Sequence, residues 1–324
     1  MIHVGTRASA LALAHAGLVC AGLGADAEIV AMCTEGDRLV DATLAVVGGK
    51  GLFVREIEEA LLRGQIDVAV HSLKDLPIEP PAGLALVAFL PRDDARDVLV
   101  ARRSVTLDDL PSRAVVGTSS PRRRALVLAA RPDLAVEPIR GNVDTRLRKL
   151  AAGDFEAVLL AAAGLRRLGL APADCTPLDP ERFVPAVGQG IIALEARLDD
   201  RATLARLAQL DHAPTRACAE AERAYLAGLG ASCTTPVAAH AHLDGATLRM
   251  SAMVAADDGQ CILRSSAAAP VADTEGLGRR LAEELLARGA ASITALSPPE
   301  VERRRQSSMS GQPRSEPTSA GSLQ

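Results

Sequence analysis

The chain has 324 residues, with 36 Lys and Arg against 40 Asp and Glu, and its formal net charge is −4. Hydrophobic residues make up 48% and charged residues 23%, a balance typical of folded globular chains and not of disordered ones. This length allows two or three domains. Apolar runs such as AVLLAAAGL and LALVAFL are broken by charge well before the roughly 20 residues that a membrane helix needs, which predicts no membrane span.

The N-terminal segment starts as MIHVGT, without a basic region, and carries Arg7 and His15 within its apolar run. These features indicate a strand followed by a helix and argue against a signal peptide. The six cysteines are scattered and form no CxxC pair. They predict free thiols in a reducing cytosol, with neither a metal centre nor a disulfide framework.

Short apolar strands alternate with helical segments in the first part of the chain. The predicted strands are IHVGT, AEIVAMC, IDVAVHS and LALVAFL, and the predicted helices are SALALAHAGLVCAGL and FVREIEEALLRG. This alternation predicts an α/β fold. We place the first domain at residues 1–97, with a returning segment at about 191–213.

A second α/β unit follows the turn-rich segment DDLPSRA. It reads as strand VVGTSS, helix PRRRALVLAAR with Pro121 at its start, strand AVEPIRG, helix VDTRLRKLAAG and strand EAVLLAA. We place this domain at residues 98–190. Two facing α/β domains would enclose a cleft.

A small α+β unit is predicted for residues 214–296. Its helix TRACAEAERAYLAGLG precedes the strand-like segments TPVAAHAHL, TLRMSAMVA and CILRSSA and the helix TEGLGRRLAEELLARGA. Residues 297–324 are rich in Ser, Pro, Gly and charge, which predicts a disordered tail.

A concentrated basic block stands out in this acidic chain. Its charged residues are Arg122, Arg123, Arg124, Arg131, Arg140, Arg146, Arg148 and Lys149, against Asp133, Glu137 and Asp144. Singly, such arginines are commonly solvated surface residues. A nucleic-acid interface is disfavoured, because the chain has no Trp, one Tyr and four Phe to stack on bases. A polyanionic small molecule is favoured by GTSSPRR, which combines hydroxyls, a helix start and guanidinium groups.

Further basic turns lie in the first domain, in GTRAS, GGKGLFVRE and HSLKDLP. GGKG lacks the Ser or Thr that follows the lysine of a phosphate-binding loop, so nucleotide hydrolysis is not indicated. Its glycines instead suggest a mobile flap around Lys50. Two α/β domains with basic turns are also typical of a solute-binding or effector-sensing module, which stays open as an alternative.

Taken in order, these stretches resemble the porphobilinogen deaminase family, also called hydroxymethylbilane synthases. The matching motifs are GTRAS, GDR, GGKGLFVREIEEALLRGQIDVAVHSLKDLP, PRDDARDVLV, GTSSPRRRA, IRGNVDTRLRKL, AGLRRLGL, VPAVGQGIIALEAR and LGASCTTPVAAHA. The resemblance implies two periplasmic-binding-protein-like α/β domains that form a cleft, plus a small α+β C-terminal domain. It also implies a transferase of tetrapyrrole biosynthesis, which condenses four porphobilinogen molecules to hydroxymethylbilane on a dipyrromethane primer and releases ammonia.

The same resemblance implies the site residues. Cys233, in the third domain, would carry the dipyrromethane cofactor through a thioether, and Asp75 would be the catalytic residue. Cofactor contacts would come from Arg7, Ser9, Lys50, Lys74, Asp75, Ser119, Arg122, Arg123, Arg140, Arg146 and Gly188. Substrate contacts would come from Arg7, Ser9, Arg96, Arg140, Arg146 and Arg167. The protein would be a cytoplasmic monomer that binds porphobilinogen and no nucleic acid, membrane or metal.

Overall fold

The computed structural model describes residues 1–33, 54–172, 174–232 and 235–296. Its helices are α1 (Ala10–Leu23), α2 (Arg55–Leu62), α3 (Pro121–Ala130), α4 (Val143–Ala152), α5 (Ala162–Arg167), α6 (Arg201–Leu207), α7 (Ala213–Leu229), α8 (Thr274–Ala287) and α9 (Ala290–Ile293). Its strands are β1 (Ile2–Arg7), β2 (Ala27–Met32), β3 (Val68–Ser72), β4 (Leu84–Phe89), β5 (Asp97–Ala101), β6 (Val115–Gly117), β7 (Ala135–Glu137), β8 (Ala157–Ala161), β9 (Cys175–Pro177), β10 (Ile192–Arg197), β11 (Val237–Asp244), β12 (Thr247–Ala255) and β13 (Ile262–Pro270). These strands form three separate sheets.

The first sheet has the strand order β2-β1-β3-β10-β4. Strand β1 pairs in parallel with β2 and β3, whereas β10 is antiparallel to both of its neighbours. Apolar side chains of β1, β3 and β10 meet helix α1 in one core, in which Val4, Val68 and Leu194 are fully buried. Strand β10 returns to this sheet after the chain has built the second one.

The second sheet has the order β7-β6-β8-β5-β9, with β5 antiparallel to β8 and β9. All five residues of β5 are buried, including the charged Asp97 at its start. The third sheet is an antiparallel meander, β11-β12-β13. Helices α7 and α8 pack on it, and the Tyr225 hydroxyl donates to the Met253 carbonyl at 2.9 Å.

Hydroxyl side chains start the helices that follow β1 and β6. Ser9 Oγ accepts the Ala12 N–H and Ser120 Oγ accepts the Arg123 N–H, each at 3.4 Å, and Pro121 occupies the first turn of α3. Such capping satisfies N–H groups that have no partner within the helix. The motifs GTRAS and GTSSP therefore lie at strand-to-helix turns, as the sequence predicts.

These sheets confirm the expected fold class of two α/β units and a small α+β unit. Strands β5, β9 and β10 were not predicted as strands. We propose that each sheet marks one domain, with the limits given above, and residues 297–324 lie outside the described part. Over the described ranges, no helix is both long and apolar enough to cross a membrane.

Candidate active site

A short 3-10 helix, Leu73–Asp75, follows directly on strand β3. Leu73 is buried, whereas Asp75 is exposed and Lys74 is partly covered. Burial of the ammonium lowers the pKa of Lys74 to about 8; Asp75 opposes that shift, and Arg123 adds to it. Lys74 follows a strand of the first sheet, and the charge of Arg123, on helix α3 beside the second sheet, acts on it. The turn therefore sits where the two α/β units meet.

Arg146 of the second unit lies close to this turn, and Arg140 lies close to Arg146. Burial, together with the charges of Arg123 and Arg140, lowers the pKa of Arg146 to about 10, although Asp75 acts in the opposite direction. Arg146 Nε donates to the Gly141 carbonyl at 2.8 Å. Among the described residues, no carboxylate forms an ion pair with the side chain of Arg140, of Arg146 or of Lys74. Their positive charges are therefore available to an anion.

Arg122 and Arg123, in the first turn of α3, converge on the fully buried Asp97. Arg122 Nη1 lies 2.7 Å from Asp97 Oδ2, and Arg123 Nη2 lies 2.7 Å from Asp97 Oδ1. Gln189 donates to the same carboxylate at 2.8 Å. Burial opposes ionisation of Asp97, but the two guanidinium groups outweigh it and hold its pKa well below the usual range. Within the part of the chain that the structure describes, one carboxylate between two guanidinium groups leaves one positive charge uncompensated, and the buried Arg122 Nε has no hydrogen-bond partner.

Arg167 joins the two α/β units from the end of α5. Its Nη2 donates to the Gly190 carbonyl at 2.6 Å, and its Nη1 lies 3.3 Å from Nε2 of His15 on α1. Burial, together with the charges of Arg167 and Lys74, lowers the pKa of His15 to about 3. Because a guanidinium group only donates, His15 Nε2 accepts and the ring proton sits on Nδ1. His15 is a site residue that the sequence analysis missed; its only signal was a polar residue in an otherwise apolar helix.

Two family models match most of the chain. The model described as "Porphobilinogen deaminase, dipyromethane cofactor binding domain" matches residues 2–205, and the model described as "Porphobilinogen deaminase, C-terminal domain" matches residues 216–287. The chain belongs to the porphobilinogen deaminase family. The resemblance inferred from the motifs is confirmed, and with it a transferase of tetrapyrrole biosynthesis with a dipyrromethane cofactor.

Curated relatives cover nearly the whole chain. A porphobilinogen deaminase of Chromobacterium violaceum is 47% identical over 299 residues, covering 91% of this chain and 97% of the relative. One of Trichlorobacter lovleyi is 48% identical over 297 residues, covering 90% and 95%.

Solved structures with weaker similarity were also found. A double mutant of the BvgS VFT2 domain of Bordetella pertussis has a TM-score of 0.39 at 17% identity and covers 64% of this chain and 85% of its own. A putative methionine-binding lipoprotein of Bacillus subtilis has a TM-score of 0.40 at 12% identity and covers 64% and 89%.

Several residues that the porphobilinogen deaminase resemblance implicates already have partners within the protein. Arg96 pairs with Asp94 at 2.6 Å, Ser119 Oγ donates to the Ile139 carbonyl at 2.7 Å, and the Gly188 N–H donates to Glu222 at 2.7 Å. Ser9 caps α1, and Arg7 ends β1. Lys50, its glycine-rich segment and Cys233 lie outside the described residues. The roles of all these residues stay predictions.

The chemistry of the site fits a dipyrromethane, whose pyrrole rings carry acetate and propionate side chains. Lys74, Arg140 and Arg146 supply cations that lack carboxylate partners within the described ranges, and the group around Asp97 supplies one further positive charge. Guanidinium groups bind carboxylates through paired N–H donors. The residues present therefore suit the cofactor of the porphobilinogen deaminase family.

Proposed function

We propose that this protein joins four porphobilinogen molecules to hydroxymethylbilane at the junction of its two α/β units, and that Cys233 holds the dipyrromethane primer. The observation that carries this proposal is the exposed Asp75 carboxylate beside Lys74 and Arg146, with Arg140 next to Arg146, three cations with no described carboxylate partner. A product that gains acid side chains at each addition requires such a surplus of positive charge.

The cations bind the carboxylates of cofactor and substrate in this proposal. The cofactor set is Arg7, Ser9, Lys50, Lys74, Asp75, Ser119, Arg122, Arg123, Arg140, Arg146 and Gly188; the substrate set is Arg7, Ser9, Arg96, Arg140, Arg146 and Arg167. A hydrogen bond to a charged group contributes about 1.5–3 kcal/mol, so each direct contact is worth roughly a tenfold change in affinity or more. Arg122 and Arg123 act through their shared positive charge, since Asp97 and the carbonyls of Val184 and Leu159 already occupy most of their donors.

Asp75 is the catalytic residue of this proposal. Loss of ammonia from porphobilinogen leaves a cation, and a carboxylate held beside it stabilises the charge that develops in the transition state. The bound dipyrromethane supplies the end from which the pyrrole chain grows. The surrounding arginines and Lys74 orient the acid side chains, so that the reacting end lies at Asp75.

We further propose a cytoplasmic monomer that binds neither nucleic acid nor membrane nor metal. Large apolar side chains that are exposed in the described part come from separate places in the chain: Met1, Leu18, Ile29, Leu62, Leu198 and Val271. Isolated exposed apolar residues of this kind need no covering partner. Light scattering on the purified protein should give a mass near the 33.6 kDa of one chain.

The first experiment is intact mass of the purified protein and of its Cys233→Ser variant. The parent should weigh more than its sequence by one covalent dipyrromethane, and Cys233→Ser should not. Cys261→Ser, at a half-buried thiol of the third unit, is the matched control and should keep the added mass. An unmodified parent that is inert toward porphobilinogen would instead support a solute-binding module.

The second experiment tests Asp75. Asp75→Glu keeps the carboxylate but displaces it, so it should retain partial turnover, whereas Asp75→Ala should lose nearly all turnover of porphobilinogen. Equal activity in the two variants, at equal dipyrromethane content by mass, would refute the electrostatic role.

A further inference from the structure

Helix α7 of the third unit reaches both loops that border the turn carrying Asp75. Glu222, fully buried on this helix, accepts the N–H of Gly188 at 2.7 Å and that of Ala241 at 2.8 Å. Arg92 Nη1 donates to the same carboxylate at 2.6 Å. With these donors, Glu222 fixes the 188–190 turn to the third unit.

The 188–190 turn in turn holds the start of the Asp75 segment. Gly188 has φ +72, and a Cβ at that position would lie 2.7 Å from Leu73 Cγ. The Leu73 side chain therefore packs directly on the bare Gly188 backbone. The Leu73 N–H also donates to the Ile191 carbonyl at 3.0 Å. Leu73 is the first residue of the 3-10 helix that ends at Asp75.

Arg223, the next residue of α7, holds the other end of the same segment. Its Nη2 donates to the carbonyl of Pro77 at 3.0 Å and to the carbonyl of Ile78. Burial lowers the pKa of Arg223, and the charge of Glu195 opposes that shift. Within the described residues its hydrogen bonds go to backbone carbonyls and not to a carboxylate, so this guanidinium is used to fix a loop.

We infer that Arg223 is a positioning residue for Asp75. Its two hydrogen bonds close the segment from Leu73 to Ile78 at the end that Glu222 does not reach, so helix α7 fixes the Asp75 turn from both sides. The same helix ends at Leu229, four residues before Cys233. The element that leads to the cofactor cysteine thus also sets the position of the proposed catalytic carboxylate. This inference rests on the proposed role of Asp75.

The test compares Arg223→Met with Arg223→Lys and with a control on the neighbouring helix. Arg279→Met is the control, since the Arg279 side chain is 62% exposed and lies 3.9 Å from Glu275. Arg223→Met should lower kcat by about 10- to 100-fold, because a small displacement of a reacting group costs this much. KM should stay within about threefold, since the carboxylate-binding cations are untouched. Arg223→Lys, which keeps a donor, should recover part of kcat, and Arg279→Met should match the parent.

Hydrogen exchange supplies a readout that does not depend on turnover. Backbone amides of the peptide spanning residues 72–80 should exchange faster in Arg223→Met than in the parent or Arg279→Met, while thermal midpoint and dipyrromethane mass stay close to those of the parent. If Arg223→Met does not fold, the same comparison is made with Arg223→Lys.

Three outcomes for Arg223→Met would overturn the inference: unchanged hydrogen exchange in residues 72–80, an unchanged kcat, or a loss of activity that is fully explained by a lower content of bound dipyrromethane. Asp75→Ala is assayed in parallel. If that variant keeps its turnover, the proposed catalytic role of Asp75 fails, and the inference that depends on it fails too; if it is inactive while Arg223→Met is normal, only the positioning role fails.

Discussion

The cations of the site divide into two groups by the partners of each side chain. Arg96 pairs with Asp94, and Arg122 shares Asp97 with Arg123. Removing the buried Asp97 carboxylate would leave two guanidinium groups without a counter-charge, a strongly destabilising arrangement. Lys74, Arg140 and Arg146 have no such carboxylate in the described ranges, so they offer the stronger sites for a bound anion.

Lys74 makes the site sensitive to alkaline pH. Its ammonium has a pKa of about 8, so it is charged below that pH and neutral above it. Because kcat/KM reports the free enzyme, kcat/KM for porphobilinogen should fall as pH rises through about 8. Lys74→Arg replaces the ammonium with a guanidinium group that stays protonated, and this variant should lose the decline. Rates measured from pH 6.5 to 9.5 test this.

Lys149→Arg is the matched control for that profile. Lys149 belongs to α4 and its Nζ lies 3.5 Å from the Arg140 carbonyl, so the same exchange of side chain is made outside the Asp75 turn. The kcat/KM of Lys149→Arg should decline with rising pH as that of the parent does. A decline that persists in Lys74→Arg would assign the titration to another group.

At the scale of elements, helices α7 and α8 cross at a glycine. A Cβ on Gly278 would overlap the Ala221 carbonyl and lie 2.7 Å from the Tyr225 nitrogen. Gly278→Ala must separate the helices, and overpacking of this kind typically costs about 1–3 kcal/mol of unfolding free energy. Gly17→Ala is the matched control, because no described atom lies within 4 Å of the added Cβ in α1. It should stabilise by about 0.5–1 kcal/mol. Urea unfolding measures both, and equal shifts would contradict the close crossing.

Apolar periodicity predicted most elements, and two of the three strands that it missed contain a charged residue. Strand β10 contains Glu195 and β5 begins with Asp97, so a charge interrupts each apolar run. Glu195 lies 3.0 Å from His71, which is 124 residues away in the chain. Because the partner of a buried charge is distant in sequence, a local pattern cannot show that the charge is satisfied.

The same limit applies to the site. The family resemblance named the residues expected around Asp75, but not which of them already have partners. Asp97 lies 25 residues from Arg122, and Arg223 lies 146 residues from Pro77. A short sequence motif shows neither of these pairings, because the two partners are far apart in the chain. Sequence alone therefore identified the chemistry, whereas the division between paired and available cations required the fold.

At the scale of the whole molecule, α1 of the first sheet and α5 of the second meet beside the site. A Cβ on Gly164 would lie 3.7 Å from the Leu11 side chain, and Arg167 spans the contact from His15 to the Gly190 carbonyl. Asp93, 3.5 Å from Arg167 Nε, adds a counter-charge. The junction is thus polar at its centre, and its stability depends on a neutral His15.

His15 therefore links stability to pH. Its pKa is about 3 in the folded protein against an ordinary 6.5, so the unfolded chain takes up a proton that the folded chain refuses. The contribution of neutral His15 to the free energy of unfolding is fully present above pH 6.5 and is lost as pH falls from 6.5 toward 3. His15→Gln can still accept a hydrogen bond from Arg167, but its side chain does not titrate. Between pH 7 and pH 5 its free energy of unfolding should therefore fall by about 2 kcal/mol less than that of the parent. His240, whose pKa burial lowers to about 4, makes the free energy of unfolding fall with pH to some extent in both proteins. Urea titrations at pH 7 and pH 5 measure the change in the free energy of unfolding. His242→Gln, at an exposed histidine, is the control and should behave as the parent does. If His15→Gln loses as much stability between the two pH values as the parent, His15 does not titrate in this way.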